Sequence, residues 1–241
     1  MIFLKGLHGI KAVSFDLDDT LYDNVPCIKR AEELYLEHLT EIFGLTGRAR
    51  DLKWWSQERQ ALLCLRPELD NDVTELRVQE LIYCLNQEGI AVSDAQAREL
   101  TAWFIRVRSE IPVPESSKKL LCDLGARYPL ACISNGNSDT VQDGLAPFFK
   151  WDLRPSVRGA RTKPYPDLFV DFATKAGVRP CEVLHVGDDP FTDVEGAVGA
   201  GCQCAWLRRG IAGKTADWDR LKILPSIVLD RLEELRGLLL S

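Results

Sequence analysis

Asp16 and Asp18 are the first residues of this 241-residue chain whose types and spacing are suited to chemistry. They stand two apart directly after the apolar run Lys11–Phe15, so both carboxylates of an extended chain project to the same side. Asp188 and Asp193 stand five apart, across the end of another apolar run and the first turn of a helix. Such gathered negative charge must be offset, and carboxylate and carbonyl oxygens suit Mg²⁺, which tends to bind beside a phosphate. The four aspartates therefore predict a Mg²⁺ site.

Two further residues offer donors beside these acids. Ser134, together with the backbone N–H of Asn135, follows a third apolar run, and Lys163 stands just before a helix. A cation, a lysine and a hydroxyl together suit a tetrahedral dianion whose charge must be spread during transfer. The pattern therefore predicts phosphoryl transfer.

Short apolar runs separated by helical stretches must position these residues. The predicted strands are Lys11–Phe15, Leu130–Ser134, Glu182–Val186, Gln203–Leu207 and Ile227–Leu229. The predicted helices between them are Pro114–Ala126, Pro166–Ala176 and Thr192–Ala200. This alternation is typical of an α/β fold with a doubly wound, Rossmann-like parallel sheet, in which ligands bind at the carboxyl ends of the strands.

A helical segment interrupts this rhythm at about residues 24–110. Its spacing predicts helices near 27–43, 48–63, 72–88 and 94–108, and the segment has almost no strand character. The connectors Tyr22–Pro26 and Ser109–Pro114 carry the breaker residues expected of hinges. The sequence therefore predicts a core formed by residues 1–23 and 111–241, and a helical cap domain inserted at 24–110 after the first strand.

The composition excludes several classes of protein. Lys and Arg total 30 against 36 Asp and Glu, which gives a net charge of -6 and argues against a nucleic-acid partner. No apolar run is long enough for a transmembrane helix, and the first residues do not form a signal peptide, so we expect a cytoplasmic protein with no membrane partner. Nothing in the sequence indicates an oligomeric state.

Four motifs together resemble those of the haloacid dehalogenase (HAD) superfamily. They are Asp16-Leu17-Asp18-Asp19-Thr20, Ser134, Lys163, and Gly187-Asp188-Asp189 with Asp193, in that order, and the helical segment resembles that family's C1-type cap. The runs FDLDDTLYDN, ISNGN and LHVGDDPFTDVEGA are similar to the bacterial YigB-like branch. Members of that branch act on flavin mononucleotide (FMN) and on 5-amino-6-(5-phospho-D-ribitylamino)uracil in riboflavin metabolism.

The resemblance implies a phosphatase that forms an aspartyl-phosphate on a small phosphorylated metabolite. Asp16 is then the nucleophile, and Asp18 protonates the leaving group and later activates water. The implied Mg²⁺ ligands are the Asp16 carboxylate, the Asp18 carbonyl and the Asp188 carboxylate. The resemblance also implies a set of phosphoryl-binding residues: Ser134, Asn135, Lys163 and Thr20.

The residues around this core of the site carry weaker expectations. Asp193 and Asp189 are expected to orient the water ligands of the metal or the lysine, although an aspartate near a helix start is also a simple cap. Thr20 is expected to form a hydrogen bond near Asp18 and to hold its geometry, although a threonine in a turn needs no further reason. Asn135 is equally able to act through its backbone alone. His185 is predicted to be a core histidine.

Other functions are compatible with parts of the pattern. A phosphatase for another metabolite, such as a sugar phosphate or a nucleotide, requires the same residues. A phospho-aspartate signalling or binding module also uses an acid cluster, a hydroxyl and a lysine, but in another order and without a cap. The run GIAGKT at 210–215 imitates a nucleotide-binding P-loop, yet Arg208 stands where that loop requires its first glycine.

Overall fold

The computed structural model describes residues 1–213 and 218–240, so Lys214 and Thr215 of the GIAGKT run lie outside the described residues. Within them, seven strands form one sheet in the order β1-β7-β6-β5-β2-β3-β4. The strands are β1 (Ile2–Phe3), β2 (Ala12–Phe15), β3 (Leu130–Ile133), β4 (Trp151–Leu153), β5 (Val183–Gly187), β6 (Gln203–Leu207) and β7 (Ile227–Leu229). Every pair is parallel except β1 with β7, which confirms the predicted α/β fold.

The central strand β2 carries the first acidic motif. It pairs with β3 on one side and with β5 on the other, and Phe15 at its end lies opposite Cys132 and Val186. Because all three strands run in the same direction, the loops that begin at Asp16 and Ser134 leave the sheet at the same edge as the loop after β5. The registration of three short strands therefore brings distant motifs together.

The helical segment that follows β2 contains four α-helices. They are α1 (Val25–Phe43), α2 (Leu52–Leu65), α3 (Val73–Gln87) and α4 (Asp94–Arg108). Side chains of Asp51, Asp72 and Ser93 cap the starts of α2, α3 and α4. Their buried apolar residues, which include Tyr35 and Phe104, form a cluster of their own. The segment follows β2 rather than the first strand, because the short β1 precedes it; its role as a separate cap domain at 24–110 stays a prediction.

The remaining helices cover both faces of the sheet, and the apolar core divides accordingly into two clusters. They are α5 (Glu115–Gly125), α6 (Asp167–Ala176), α7 (Gly196–Gly199) and α8 (Glu234–Leu239). The helix predicted at Thr192–Ala200 is shorter than expected, because a π-helical turn over Pro190–Glu195 precedes α7. In the part of the chain that the structure describes, no helix has the length and apolarity needed to span a membrane.

Candidate active site

The loop after β2 holds its two aspartates in different surroundings. The Asp16 backbone N–H still donates to the Val186 carbonyl of β5 at 2.9 Å, so Asp16 stays in the extended ladder and its side chain is buried. The backbone N–H groups of Thr20 and Leu21 both donate to the Leu17 carbonyl, which closes a tight turn. Asp18 lies on this turn with a carboxylate that is 24% exposed. One aspartate is therefore fixed by the sheet, and the other lies on the turn that follows it.

Lys163 is buried between two carboxylates. Its Nζ donates to Asp16 Oδ1 and to Asp193 Oδ1, both at 2.6 Å. Burial alone would lower the pKa of Lys163, but these two carboxylates raise it above its ordinary value, so the ammonium stays charged. A fixed positive charge therefore lies against the Asp16 carboxylate, where an anion has to bind for that oxygen to attack it.

Asn135 holds the backbone that carries this lysine. Its Oδ1 accepts from the Lys163 N–H at 2.8 Å, and its Nδ2 donates to the Lys163 carbonyl at 2.9 Å. The Asn135 side chain thus ties the turn after β3 to the Lys163 loop. In the same turn the buried Ser134 Oγ accepts from the Gly136 N–H at 3.1 Å. A Cβ at Gly136 would come within 2.5 Å of Asp18 Oδ2, so a larger residue at this position would displace the Asp18 carboxylate.

The loop after β5 brings in the third and fourth acids. Thr20 Oγ1 donates to Asp188 Oδ1 at 3.0 Å, and the Trp206 indole donates to the Asp188 carbonyl at 2.8 Å. The Thr20 hydroxyl therefore binds Asp188. Among the described residues it forms no hydrogen bond with Asp18. Asp193 packs so closely under the strand end that a Cβ at Gly187 would lie 2.2 Å from its Cγ.

Asp189 uses its carboxylate as a cap. Asp189 Oδ1 accepts from the N–H groups of Phe191 and Thr192, both at 2.9 Å, at the start of the π-helical turn. Only its backbone reaches the acid cluster, where the Asp189 N–H donates to Asp193 Oδ2 at 3.0 Å. Of the two readings that the sequence left open for Asp189, the geometry favours capping.

Carboxylate oxygens of Asp16, Asp188 and Asp193 lie within 4.8 Å of one another. Burial, followed by the charges of Asp193 and Asp16, raises the pKa of Asp188 to about 8. By contrast, burial opposes ionisation of Asp193, yet Lys163 and His185 hold its pKa below the ordinary value. The oxygens of Asp193 are thus already bound by protein donors. Asp16 and Asp188 remain, and such hard oxygen donors fit Mg²⁺.

Asp18 has two partners that sequence reasoning missed. Arg108, in the last turn of α4 and 2% exposed, donates from Nη2 to both Asp18 oxygens at 3.1 Å and to Asn24 Oδ1 at 3.1 Å. The Tyr22 hydroxyl donates to Asp18 Oδ1 at 2.7 Å. The only local signal for these contacts is the position of Arg108 directly before the second connector. The helical segment and the acid loop are therefore joined through the Asp18 carboxylate.

His185 and Ser14, which are hydrogen-bonded to each other, support Asp193 from within the sheet. His185 on β5 is fully buried, its Nε2 lies 3.2 Å from Asp193 Oδ1 and its Nδ1 lies 2.9 Å from Ser14 Oγ on β2. Burial lowers the pKa of His185, so the ring is neutral. The prediction of a core histidine agrees with this burial, and the hydrogen bonds add a supporting contact to the acid cluster.

Substitution of Thr20 tests whether its hydroxyl prepares Asp188 for a cation. We expect Thr20→Val to weaken Mg²⁺ binding about 10-fold to 100-fold, because Asp188 loses a donor that orients it and favours its charged form. Calorimetric titration with Mg²⁺ measures the effect. Thr20→Ser, which keeps the hydroxyl, serves as the control and should bind like the wild type. Equal affinity in Thr20→Val would contradict this role.

Comparison with known proteins places this geometry in a family. A family model described as haloacid dehalogenase-like hydrolase matches residues 10–201. The chain is 36% identical to the 5-amino-6-(5-phospho-D-ribitylamino)uracil phosphatase YigB of Escherichia coli strain K12, over 99% of this chain and 100% of the relative. It is 35% identical to a phosphoserine phosphatase of Thermus thermophilus, over 84% of this chain and 90% of the relative.

A solved structure gives the same result for the fold. The 2-haloacid dehalogenase from Pseudomonas syringae pv. tomato superposes with a TM-score of 0.79 at 30% identity, over 96% of this chain and 98% of that chain. Since the family model and these matches extend over most of the sequence and of the fold, this protein belongs to the haloacid dehalogenase-like hydrolase family.

Proposed function

We propose that this hydrolase is a Mg²⁺-dependent phosphomonoesterase that acts through an aspartyl-phosphate on a small phosphorylated metabolite. The observation that carries the proposal is the pair of aspartates two residues apart in different settings. Asp16 is buried 2.6 Å from the Lys163 ammonium, and Asp18 lies on the turn that follows, with a carboxylate that is 24% exposed. A nucleophile needs a nearby cation to receive an anionic substrate, and a proton donor must reach the leaving group.

The reaction follows from these positions in two steps. An Asp16 carboxylate oxygen attacks phosphorus, the bond from phosphorus to the leaving oxygen breaks, and Asp18 gives its proton to that oxygen. Asp18 then takes a proton from a water molecule, whose oxygen attacks phosphorus and releases phosphate and the Asp16 carboxylate. Lys163 and Ser134 bind the phosphoryl oxygens throughout. A Mg²⁺ ion held by Asp16, Asp188 and the Asp18 carbonyl would supply further charge neutralisation.

The family also contains dehalogenases, and Asp18 favours phosphate over halide. A halide leaves as an anion without a proton, whereas an alkoxide needs one, and the presence of Asp18 two residues after Asp16 supports such a donor. The identity to YigB over the full length supports a riboflavin intermediate, 5-amino-6-(5-phospho-D-ribitylamino)uracil, or FMN as the substrate. A sugar phosphate or a nucleotide is the alternative. The net charge of -6 supports a small metabolite rather than nucleic acid, and we place the reaction in the cytoplasm.

A substrate panel tests the proposal. We expect phosphate release that EDTA stops and added Mg²⁺ restores, with the ranking of FMN, the ribitylamino-uracil phosphate, sugar phosphates and nucleotides identifying the substrate class. The same assay with 2-chloropropionate measures chloride release and should give none. Three results would each contradict the proposal: no phosphate release from any phosphomonoester, release of chloride, or a phosphoaspartate that persists instead of being hydrolysed.

A further inference from the structure

A cavity of about 690 Å³ lies beside Lys163, between α3 and the loops that follow β4 and β5. Val73 and Leu76 of α3 form one wall, and Pro164, Tyr165 and Phe191 form another. Lys163, whose ammonium donates to Asp16, and Asn135 also line the cavity. A leaving group that extends from a phosphoryl group at Lys163 can therefore reach its apolar and aromatic walls.

Tyr165 and Phe191 present unusual surfaces for aromatic residues. Tyr165 is 48% exposed and Phe191 is 47% exposed, although large aromatic rings are normally buried. A basic side chain lies over each ring: the Arg161 guanidinium is 4.2 Å from the Tyr165 centroid, and the Lys222 ammonium is 5.5 Å from that of Phe191. Each ring is thus held by a cation and still offers area to a flat ligand.

The charges of the residues that line the cavity disfavour a second anion. Among the described residues that line it, Lys163 is the only cation, and Asp16 and Asp193 already bind its ammonium. Asp70 is the only carboxylate among those same residues. The nearby Arg161 is paired through two nitrogens with Asp167, at 2.8 and 3.0 Å. Among the described residues that line the cavity, Asp70 therefore offers a hydrogen-bond acceptor, and none offers an unpaired cation to a carboxylate; Lys222 lies over the Phe191 ring outside this lining.

We propose that Tyr165 and Phe191 form a stacking platform for a planar, uncharged ring in the leaving group, with Asp70 as the acceptor for its N–H or O–H donors. This inference rests on the proposed phosphatase function. It assigns the choice of substrate partly to two core loops rather than to the helical segment alone. Phosphomonoesters whose leaving group carries a carboxylate are accordingly expected to be poor substrates.

Two substrates that differ only by the ring separate stacking from general damage. FMN and D-ribitol 5-phosphate share the phosphorylated ribityl chain, and only FMN carries a ring. We expect Phe191→Ala and Tyr165→Ala each to lower kcat/KM for FMN about tenfold and to change it less than about twofold for D-ribitol 5-phosphate. Phe191→Leu, which keeps apolar volume without a ring face, should resemble Phe191→Ala. Phe3→Ala, at a phenylalanine that is 57% exposed on the edge strand β1, is the matched control and should change neither.

Charge reversal at Asp70 tests the second part of the proposal by a gain of activity. We expect Asp70→Lys to raise kcat/KM for phosphoglycolate about fivefold or more relative to FMN, because the cavity then holds a free cation. Asp70→Asn, which removes the charge without adding a cation, should lie between the two proteins. An unchanged ratio would overturn the role of Asp70.

Binding without turnover separates this inference from the proposed function. Fluorescence anisotropy of FMN, titrated with Asp16→Asn and with Asp16→Asn/Phe191→Ala, reports the platform in proteins that lack the nucleophile. Tighter binding by the single variant, about tenfold, supports the platform even if the wild type hydrolyses no phosphomonoester. Equal binding by the two proteins, or equal losses on FMN and D-ribitol 5-phosphate, overturns it even if phosphate is released.

Discussion

Asp16→Asn is expected to lower phosphate release roughly 10⁴-fold or more, because the amide cannot form the aspartyl-phosphate. The substitution preserves shape, and the Asn Oδ1 still accepts from the Lys163 ammonium that lies 2.6 Å away in the wild type. Loss of activity should therefore occur in a folded protein. Steady-state phosphate release with saturating Mg²⁺ measures it, and substantial turnover in the variant would contradict a nucleophilic role for Asp16.

The same variant is expected to be more stable than the metal-free wild type at about pH 8. Burial, and then the charges of Asp193 and Asp18, raises the pKa of Asp16 from its ordinary 3.8 to about 7, in spite of Lys163. The folded chain therefore binds more protons than the unfolded chain between these values, and the wild type loses stability as the pH rises from about 4 to about 7. The asparagine variant carries no such charge, so its advantage should grow over the same range.

Urea unfolding in EDTA, repeated at about pH 5 and about pH 8, measures this difference in stability. Asp171→Asn is the control, since Asp171 is partly exposed on α6 and, among the residues that the structure describes, forms an ion pair only with Lys175 one turn away. It should show no comparable gain with pH. A pH-independent difference between Asp16→Asn and the wild type would contradict the raised pKa of Asp16.

Lys163→Met should have the second large effect, on activity and on stability together. Removal of the ammonium leaves Asp16 and Asp193 buried without their shared cation, and breaking a buried ion pair costs about 3 to 5 kcal/mol. Phosphate release should fall about 10³-fold, because the transferring phosphoryl group loses a fixed positive charge. Lys163→Arg is not expected to restore activity, since two contacts of 2.6 Å leave no room for a guanidinium.

Lys175→Met provides the matched control for this prediction. Lys175 is a partly exposed lysine of α6 in an i,i+4 pair with Asp171, and its removal should cost no more than about 0.5 kcal/mol. Unfolding free energies from urea titrations compare the two substitutions. A Lys163→Met protein as stable as Lys175→Met would contradict the buried ion-pair argument, and wild-type turnover would contradict the contact of Lys163 with the phosphoryl group.

The sequence contained most of the information needed for the sheet and for the acid cluster. β2, β3, β5, β6 and β7 coincide with apolar runs to within one residue at each end, because buried parallel strands are apolar along their length. The acids that leave these strands then converge for a topological reason. The edge strand β1 has only two residues, and β4 is interrupted by Asp152, so neither gives the continuous apolar run that marks β7, which is also three residues long.

Contacts between distant segments were beyond reach of such reasoning. The position of Arg108 in the sequence does not indicate that it contacts Asp18, because the helical segment separates the two residues in the chain. The π-helical turn after Asp189 depends on how that loop fits over β5 and β6, and π-turns often occur at functional sites. His185 shows both sides: its apolar neighbours indicated burial, but only the tertiary structure brings it to Asp193 and Ser14.

The position of β2 at the centre of the sheet also has a consequence for synthesis of the chain. Val13 pairs with Leu130 and with Leu184, each more than a hundred positions later, and the whole four-helix segment lies in between. Such pairings raise the contact order. The entropy cost of closing long loops must be met before the strand pairs can form their stabilising contacts. The helices, whose contacts are local, can fold as the chain emerges from the ribosome. Both edges of β2 stay unpaired until β3 and β5 have been synthesised. The strand that leads to Asp16 is thus the first parallel strand to be translated and among the last to be completed.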